Sequence, residues 1–406
     1  MAHQERWHSR LTFVLAAAGS AVGLGNIWKF PYITGMNGGG AFVLVYLACI
    51  VCIAVPLLMC EMYIGAQGQA GAVKAFANIH HPHTPYRWLG GLALLTVFLI
   101  LSFYGVVGGQ ILDFLQMTAR GQLAAVNQTS MTQLNQNLQA SPLRQLAGLA
   151  IFILLNAFVI AGGFKKGLER ANAWLMPALV GVLLILFIRV LFLPGNPQAM
   201  AFLFQPNTSQ LTSASILDAV GHSFFTLNIA AAVHITYSSH LSDTKSLGKS
   251  ALAVALFDTF IALMAGIVIF SITFSFDAQP NGGPTLIFQT LPLLFAQMTG
   301  GRIVGSLFFL LVAFAALTSS LSMLEALVCH VTETTATGQA GRKKMSFFIA
   351  FAAFVVGIVS ALSPNILASY TLWGRTPFAL IDWITANLFL PAGGIGMAIF
   401  VGWVVG

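Results

Sequence analysis

Between Gly19 and Lys29 the chain reads GSAVGLGNIWK, inside an apolar run from Leu11 to Tyr32 that is long enough to cross a membrane. Three glycines (Gly19, Gly23, Gly25), Asn26 and Lys29 do not suit a plain lipid-facing helix. Backbone groups at membrane depth must be satisfied, so irregular chain persists there only beside other protein or a watery cavity. A helix that breaks mid-membrane also presents half-helix ends, with amides for an anionic group and carbonyls for a cation. That chemistry suits a zwitterion bound next to an alkali ion and implies a transporter. A second interruption is written at Phe225-Thr226-Leu227-Asn228, with His222 and His234 nearby. Asp258 places an acid in a further apolar run. A charge there costs about 2.5–3.5 kcal/mol on insertion scales, so it calls for a partner or a task. A solvated acid near a helix end is the plainer reading.

The elements that must hold these groups are membrane helices. Of 406 residues, 57% are hydrophobic and 7% charged, against about 25% charged in soluble domains. Ten apolar runs of spanning length are expected at about 11–34, 41–64, 89–119, 145–162, 171–193, 215–239, 250–275, 302–332, 346–361 and 377–404. Leu11–Ala18 runs on into the glycine motif with no processing site, so no cleavable signal is expected. With the N-terminus inside, twelve lysines and arginines, among them Arg6, Arg10, Lys245 and Arg342, fall in cytoplasmic segments. Six fall elsewhere, which predicts a cytoplasmic N-terminus in the inner (plasma) membrane. The net charge of +7 then lies beside lipid headgroups, with no nucleic-acid partner required. Cys49, Cys52, Cys60 and Cys329 all fall in apolar helix and read as buried, inert thiols. Gly121–Ser141 and Pro194–Ser213 read as polar excursions, and PNGGPTLIFQTLPLLFAQ as a re-entrant or capping hairpin. The two interrupted helices come first in each half of a five-plus-five arrangement. Five is odd, so the second half, 195–406, must enter from the side opposite to the first, 1–194.

RLTFVLAAAGSAVGLGNIWKFPYITGMNGGGAF, FFTLN, LPLLFAQMTGG and FAALTSSLSMLE strongly resemble the neurotransmitter:sodium symporter family, in collinear order from Trp7 to about Trp403. The resemblance implies an all-α membrane protein of the leucine-transporter fold, with ten transmembrane helices, helices 1 and 6 broken, of bacterial type. It further implies two sodium ions and an amino acid at mid-membrane. The first sodium would take the Ala21 carbonyl, Asn26, Thr226 and Asp258, plus the substrate carboxylate. The second would take the carbonyls of Gly19, Val22 and Ala315 with the hydroxyls of Thr318 and Ser319. The substrate carboxylate would meet the Gly23, Leu24 and Gly25 amides and the Tyr104 hydroxyl. Ile100, Tyr104, Phe225, Asn228, Ala231, Ser319 and Met323 would line its side-chain pocket, with Phe225 as an aromatic lid. Lys29 and Asp382 match the outer gate, Trp7 and Glu333 the inner one.

Departures from the family pattern shape further expectations. The inner-gate arginine is Gln4 here, with Arg6 close by. Helix 6 reads NIAAA where glycines are usual, and alanine unwinds less willingly. Among the matched halide positions, Tyr46, His222, Thr226 and Ala262, alanine stands where a hydroxyl or acid is expected. Asp258 would supply the negative charge instead, so chloride independence is expected. His222 reads as a hydrogen-bonded neutral core histidine or a proton sensor. Glu61 and Glu325 read as structural, bonding backbone or neighbouring hydroxyls. Gly167 and Pro177 match a spacing linked to local unwinding, a static kink being the alternative. The function expected is sodium-coupled symport of a hydrophobic or aromatic amino acid by alternating access, in a monomer or weak dimer. A substrate-binding sensor or non-transporting homologue and a passive channel are the rivals; no constellation for an enzyme is present.

Overall fold

The computed structural model describes residues 6–124, 126–241, 246–281, 286–335 and 338–405. Gln4, Lys245 and residues 282–285 of the expected hairpin lie outside them. Eight continuous apolar helices reach spanning length among the described residues: Gly40–Gly68, Arg87–Ala119, Pro142–Ala161, Phe164–Val190, Leu247–Ser275, Gly301–Thr334, Gly341–Ala361 and Pro377–Val405. A ninth is the pair Arg10–Ala21 and Gly25–Met36, bent by 47°. Ser213–Thr226 and Val233–Ser239, parted by six residues, complete ten spans, numbered below in chain order.

Hydropathy finds these helices because the bilayer demands unbroken apolar length; the packing then sorts them. In the third and eighth spans, 72% and 78% of the most apolar window is buried, against 28% in the fifth and tenth. The third and eighth therefore form the scaffold beside the two broken spans, and the fifth and tenth turn side chains such as Trp174 and Trp403 outward. Outward apolar faces of this kind belong against lipid.

Among the described residues four helices contain a wide, π-type turn followed two residues later by a proline: Gly25–Lys29 before Pro31, Ile50–Ala54 before Pro56, Leu286–Thr290 before Pro292, and Thr385–Phe389 before Pro391. Proline lacks the amide that its preceding turn needs and its ring presses on that turn, so the helix widens locally. The two polar excursions hold helices of their own, Gln128–Ala140 and Asn196–Phe204. The first begins at a capping box between Asn127 and Ser130, a local signal that polarity alone conceals. Leu286–Gln297, within the stretch expected as a hairpin, is a short apolar helix. The fifth span stays wound past Pro177, with its wide turn at Phe164–Glu169 around Gly167.

Candidate functional site

The first half of the first span starts at Ser9, whose side chain and Thr12 cap each other. Helix runs to Ala21 and stops at Val22, which turns to φ −65°, ψ 102°. The gap at Val22–Leu24 sits at the glycine motif. Gly23 fits only because it has no side chain: a β-carbon there would lie 2.2 Å from Ser319 Oγ and 3.0 Å from Tyr104 Oη. The Gly23 amide donates to Asn26 Oδ1 at 2.9 Å and the Leu24 amide to Tyr104 Oη at 3.2 Å. Two of the amides expected to receive an anion thus lose helical partners at the break and are held by Asn26 and Tyr104.

Asn26, Thr226 and Asp258 come together from three spans. Asn26 Nδ2 donates to Asp258 Oδ1 at 2.8 Å and to its carbonyl at 3.0 Å, while Thr226 Oγ1 donates to Asp258 Oδ2 at 3.0 Å. Asp258 is fully buried. It is therefore a partnered acid, not a solvated one near a helix end, as burial of a carboxylate demands. The second set also converges. Thr318 Oγ1 lies 3.3 Å from the Val22 carbonyl and 3.0 Å from that of Ala315; Ser319 Oγ lies 3.4 Å from Val22 O. Gly19 is buried against Met176 of the fifth span, and Ala21 lies buried beside the gap. Oxygen-rich sets of this composition suit a hard cation.

The sixth span opens despite its alanines. Leu227–Ala232 is non-helical, with Asn228, Ala230 and Ala232 at φ of 50°, 60° and 60°. Left-handed backbone costs a residue with a β-carbon about 1–2 kcal/mol, so contacts must hold the segment open. Asn228 Nδ2 donates to the Ser20 carbonyl at 2.6 Å, and His234 Nε2 lies 2.7 Å from the Leu227 carbonyl. Asn228, expected as a pocket-lining amide, is engaged by the first span through that amide. Ile100, Ala231 and Met323 are buried.

Above this region a narrow cleft is lined by Leu24, Tyr104, Phe225, Lys29 and Asp382. Lys29 Nζ is 3.7 Å from Asp382 Oδ1 and 4.1 Å from the centre of the Phe225 ring. At the end carrying the N-terminus, Trp7 is buried among Phe13, Phe164 and Tyr237 and donates from Nε1 to the Tyr237 carbonyl at 2.8 Å. Glu333 is elsewhere occupied: both its oxygens accept the Gly71 amide, at 3.0 and 2.8 Å. Trp7 and Glu333 are thus engaged separately, Trp7 in aromatic packing and Glu333 on the Gly71 amide.

Several side chains depart from their sequence reading. His222 is buried between Tyr46 and Phe30, ring centres 5.3 and 6.0 Å away, and neither of its nitrogens has a hydrogen-bond partner among the described residues. Aromatic packing, not hydrogen bonding, accommodates it. Glu61 lies beside the Ala230 backbone without a hydrogen bond of normal geometry. Glu325 does not bond backbone or hydroxyl alone: it pairs with Arg342 in a buried ion pair between the eighth and ninth spans. Cys52 is exposed and Cys60 half-buried on the second span, in contrast to the four buried thiols expected, because that side of the helix faces outward. No cluster of metal-binding His, Cys, Asp or Glu occurs among the described residues. The Lys29–Phe225 contact and the two bridges at Asn228 and His234 had no signal in the sequence beyond the residues' presence near a break.

The arrangement is that of an ion-and-solute carrier, and comparison with known proteins agrees. The model of the sodium:neurotransmitter symporter family matches residues 4–133 and 127–406. An uncharacterized sodium-dependent transporter of Bacillus subtilis, YhdH, is 38% identical over 396 residues, spanning 98% of this chain and 87% of the relative. Another from Haemophilus influenzae is 31% identical, spanning 99% and 90%. The crystal structure of MhsT in complex with L-phenylalanine matches with a TM-score of 0.91 and 40% identity, covering 99% of this chain and 90% of that one. This chain belongs to the sodium:neurotransmitter symporter family and has the leucine-transporter fold. It is a multi-pass membrane protein among transporters, not enzymes.

Proposed function

We propose that this protein is a sodium-coupled amino-acid symporter working by alternating access, with two sodium sites and no need for chloride. The observation that carries the reading is the convergence of Asn26, Thr226 and Asp258 on the gap at Val22–Leu24. One sodium would sit among Ala21 O, Asn26, Thr226 and Asp258, the other among Gly19 O, Val22 O, Ala315 O, Thr318 and Ser319. Each would replace hydrogen bonds now made within its set. The substrate carboxylate would bridge the first sodium and the Gly23–Gly25 amides. Each ligand then raises the other's affinity by the same factor, as linkage requires. Asp258 supplies the negative charge that an anion would otherwise provide. Sodium bound between the first and eighth spans would favour the outward-facing state; filling of the whole site would close Phe225 and open the end sealed by Trp7, taken as cytoplasmic.

A hydrophobic or aromatic amino acid is the substrate class assigned. Ala231 is small at a position where a bulky side chain is possible, and MhsT, at 40% identity, is known with L-phenylalanine bound. Proteoliposomes given an inward sodium gradient should accumulate L-phenylalanine saturably, and not in potassium or choline. Replacing chloride by gluconate should leave uptake unchanged. Sodium-dependent binding of L-phenylalanine without any uptake would favour a sensor; uptake that ignores sodium would refute coupling.

A further inference from the structure

The gap in the sixth span is made of residues that resist it, and one buried side chain stands where the missing helix would close. Alanine is the strongest helix former, so Ala230, Ala231 and Ala232 favour continuous coil. In such a coil the Leu227 carbonyl would accept the Ala231 amide, four residues on. In the structure the Ala231 amide turns to the Asn228 carbonyl, 3.4 Å away, and the Leu227 carbonyl meets His234 Nε2 at 2.7 Å. A carbonyl only accepts, so this ring nitrogen carries the hydrogen. His234 is fully buried and lies on the far half of the broken span, so its bond bridges the whole gap. Leu227 directly follows Thr226, the residue that donates to Asp258. Space for the unusual backbone is prepared opposite: the β-carbon of Ala230 occupies the place a side chain on Gly393 would need, 2.8 Å from such an atom.

We propose that His234 is a positioning residue of the transport site: by occupying the Leu227 carbonyl it keeps residues 227–232 from re-coiling and fixes Thr226 against Asp258. Its consequence for transport rests on the symport reading above. His234 takes over a task that glycine performs by tolerating left-handed backbone, so glycine should be able to take it back. The test uses full-length protein in nanodiscs with two probes, radioactive sodium binding and amide hydrogen exchange across residues 227–232. His234→Ala should raise half-saturating sodium about tenfold, the scale of one buried hydrogen bond. It should also slow exchange at residues 230–232 by about fivefold or more as those amides gain helical partners. His234→Gln, whose amide nitrogen can reach the same carbonyl, should behave as wild type. Adding Ala230→Gly and Ala232→Gly to His234→Ala should restore both readouts. Unchanged sodium binding and exchange in His234→Ala, or a defect that glycine does not relieve, would overturn the proposal. If His234→Ala fails to fold, the triple variant must fold; equal failure of both overturns it as well. Wild-type protein that binds no sodium would refute symport, and the exchange measurements alone would then decide the role of His234.

Discussion

The side-chain amide of Asn228 donates to the Ser20 carbonyl across 2.6 Å, joining the gap in the sixth span to the end of the first half-helix. The same oxygen accepts the Ser319 hydroxyl from the eighth span at 2.9 Å. Three spans meet on one backbone atom, which ties the two broken helices directly together. Asn228→Ala should weaken sodium and substrate binding together, by about tenfold each. Loss of substrate binding with an unaltered sodium curve would show that Asn228 serves the pocket alone.

Asp258 accepts from Asn26 and Thr226 in full burial. Asp258→Asn keeps the shape and removes the charge, and charge-assisted hydrogen bonds are about twice as strong as neutral ones. Sodium-driven uptake in chloride-free medium should drop about tenfold or more. Added chloride should recover part of it in the variant and none in wild type. Equal sodium curves for variant and wild type would remove Asp258 from the cation site.

Gly23→Ala places a methyl group 2.2 Å from Ser319 Oγ. Overpacking of this order forces neighbouring groups off their positions at a cost of about 1–3 kcal/mol. Binding of L-phenylalanine should be lost while membrane expression persists. Retained binding at wild-type affinity would mean that the gap is wider than its geometry indicates.

Lys29 and Asp382 are 3.7 Å apart, and Asp382 is one-third exposed. A pair so placed contributes about 0–1 kcal/mol to stability. Lys29→Met should leave the melting temperature in detergent within a few degrees of wild type. The effect should fall on transport instead, as faster release of bound substrate to the outer side in dilution experiments.

Glu325 and Arg342 form the buried counterpart, both within 9% exposure. Removing one member of a buried pair leaves an uncompensated charge and costs about 3–5 kcal/mol, whereas replacing both by apolar groups can be neutral. Arg342→Met alone should lower thermal stability sharply, and Arg342→Met with Glu325→Leu should recover most of it. Additive losses in the double variant would contradict pairing as the source of the effect.

What the sequence made legible follows from the range over which each signal acts. Spanning length is a local property of composition, so most of the helices stand within about four residues of their expected bounds, while the fifth and ninth begin seven and five residues early. The gap at Gly23 is likewise local, since glycines and Pro31 lie in the same stretch. The sixth span was harder, because its alanines speak locally for coil and are overruled by partners 7 and 208 residues away, Leu227 for His234 and Ser20 for Asn228. The surroundings of His222 and the separate engagements of Trp7 and Glu333 are of the same kind: residue type names a possible bond, and only the fold chooses the partner.

Lys29 presents one ammonium group to two neighbours, the Asp382 carboxylate and the Phe225 ring. An aromatic face attracts such a cation most strongly when water is excluded. Lifting the ring strips the cation of one neighbour and wets the other, so the two contacts weaken in a single event. In the proposed symporter a solute arriving from that side would therefore meet one barrier where two obstacles are visible, and a solute seated beneath Phe225 would be retained by the same bolt.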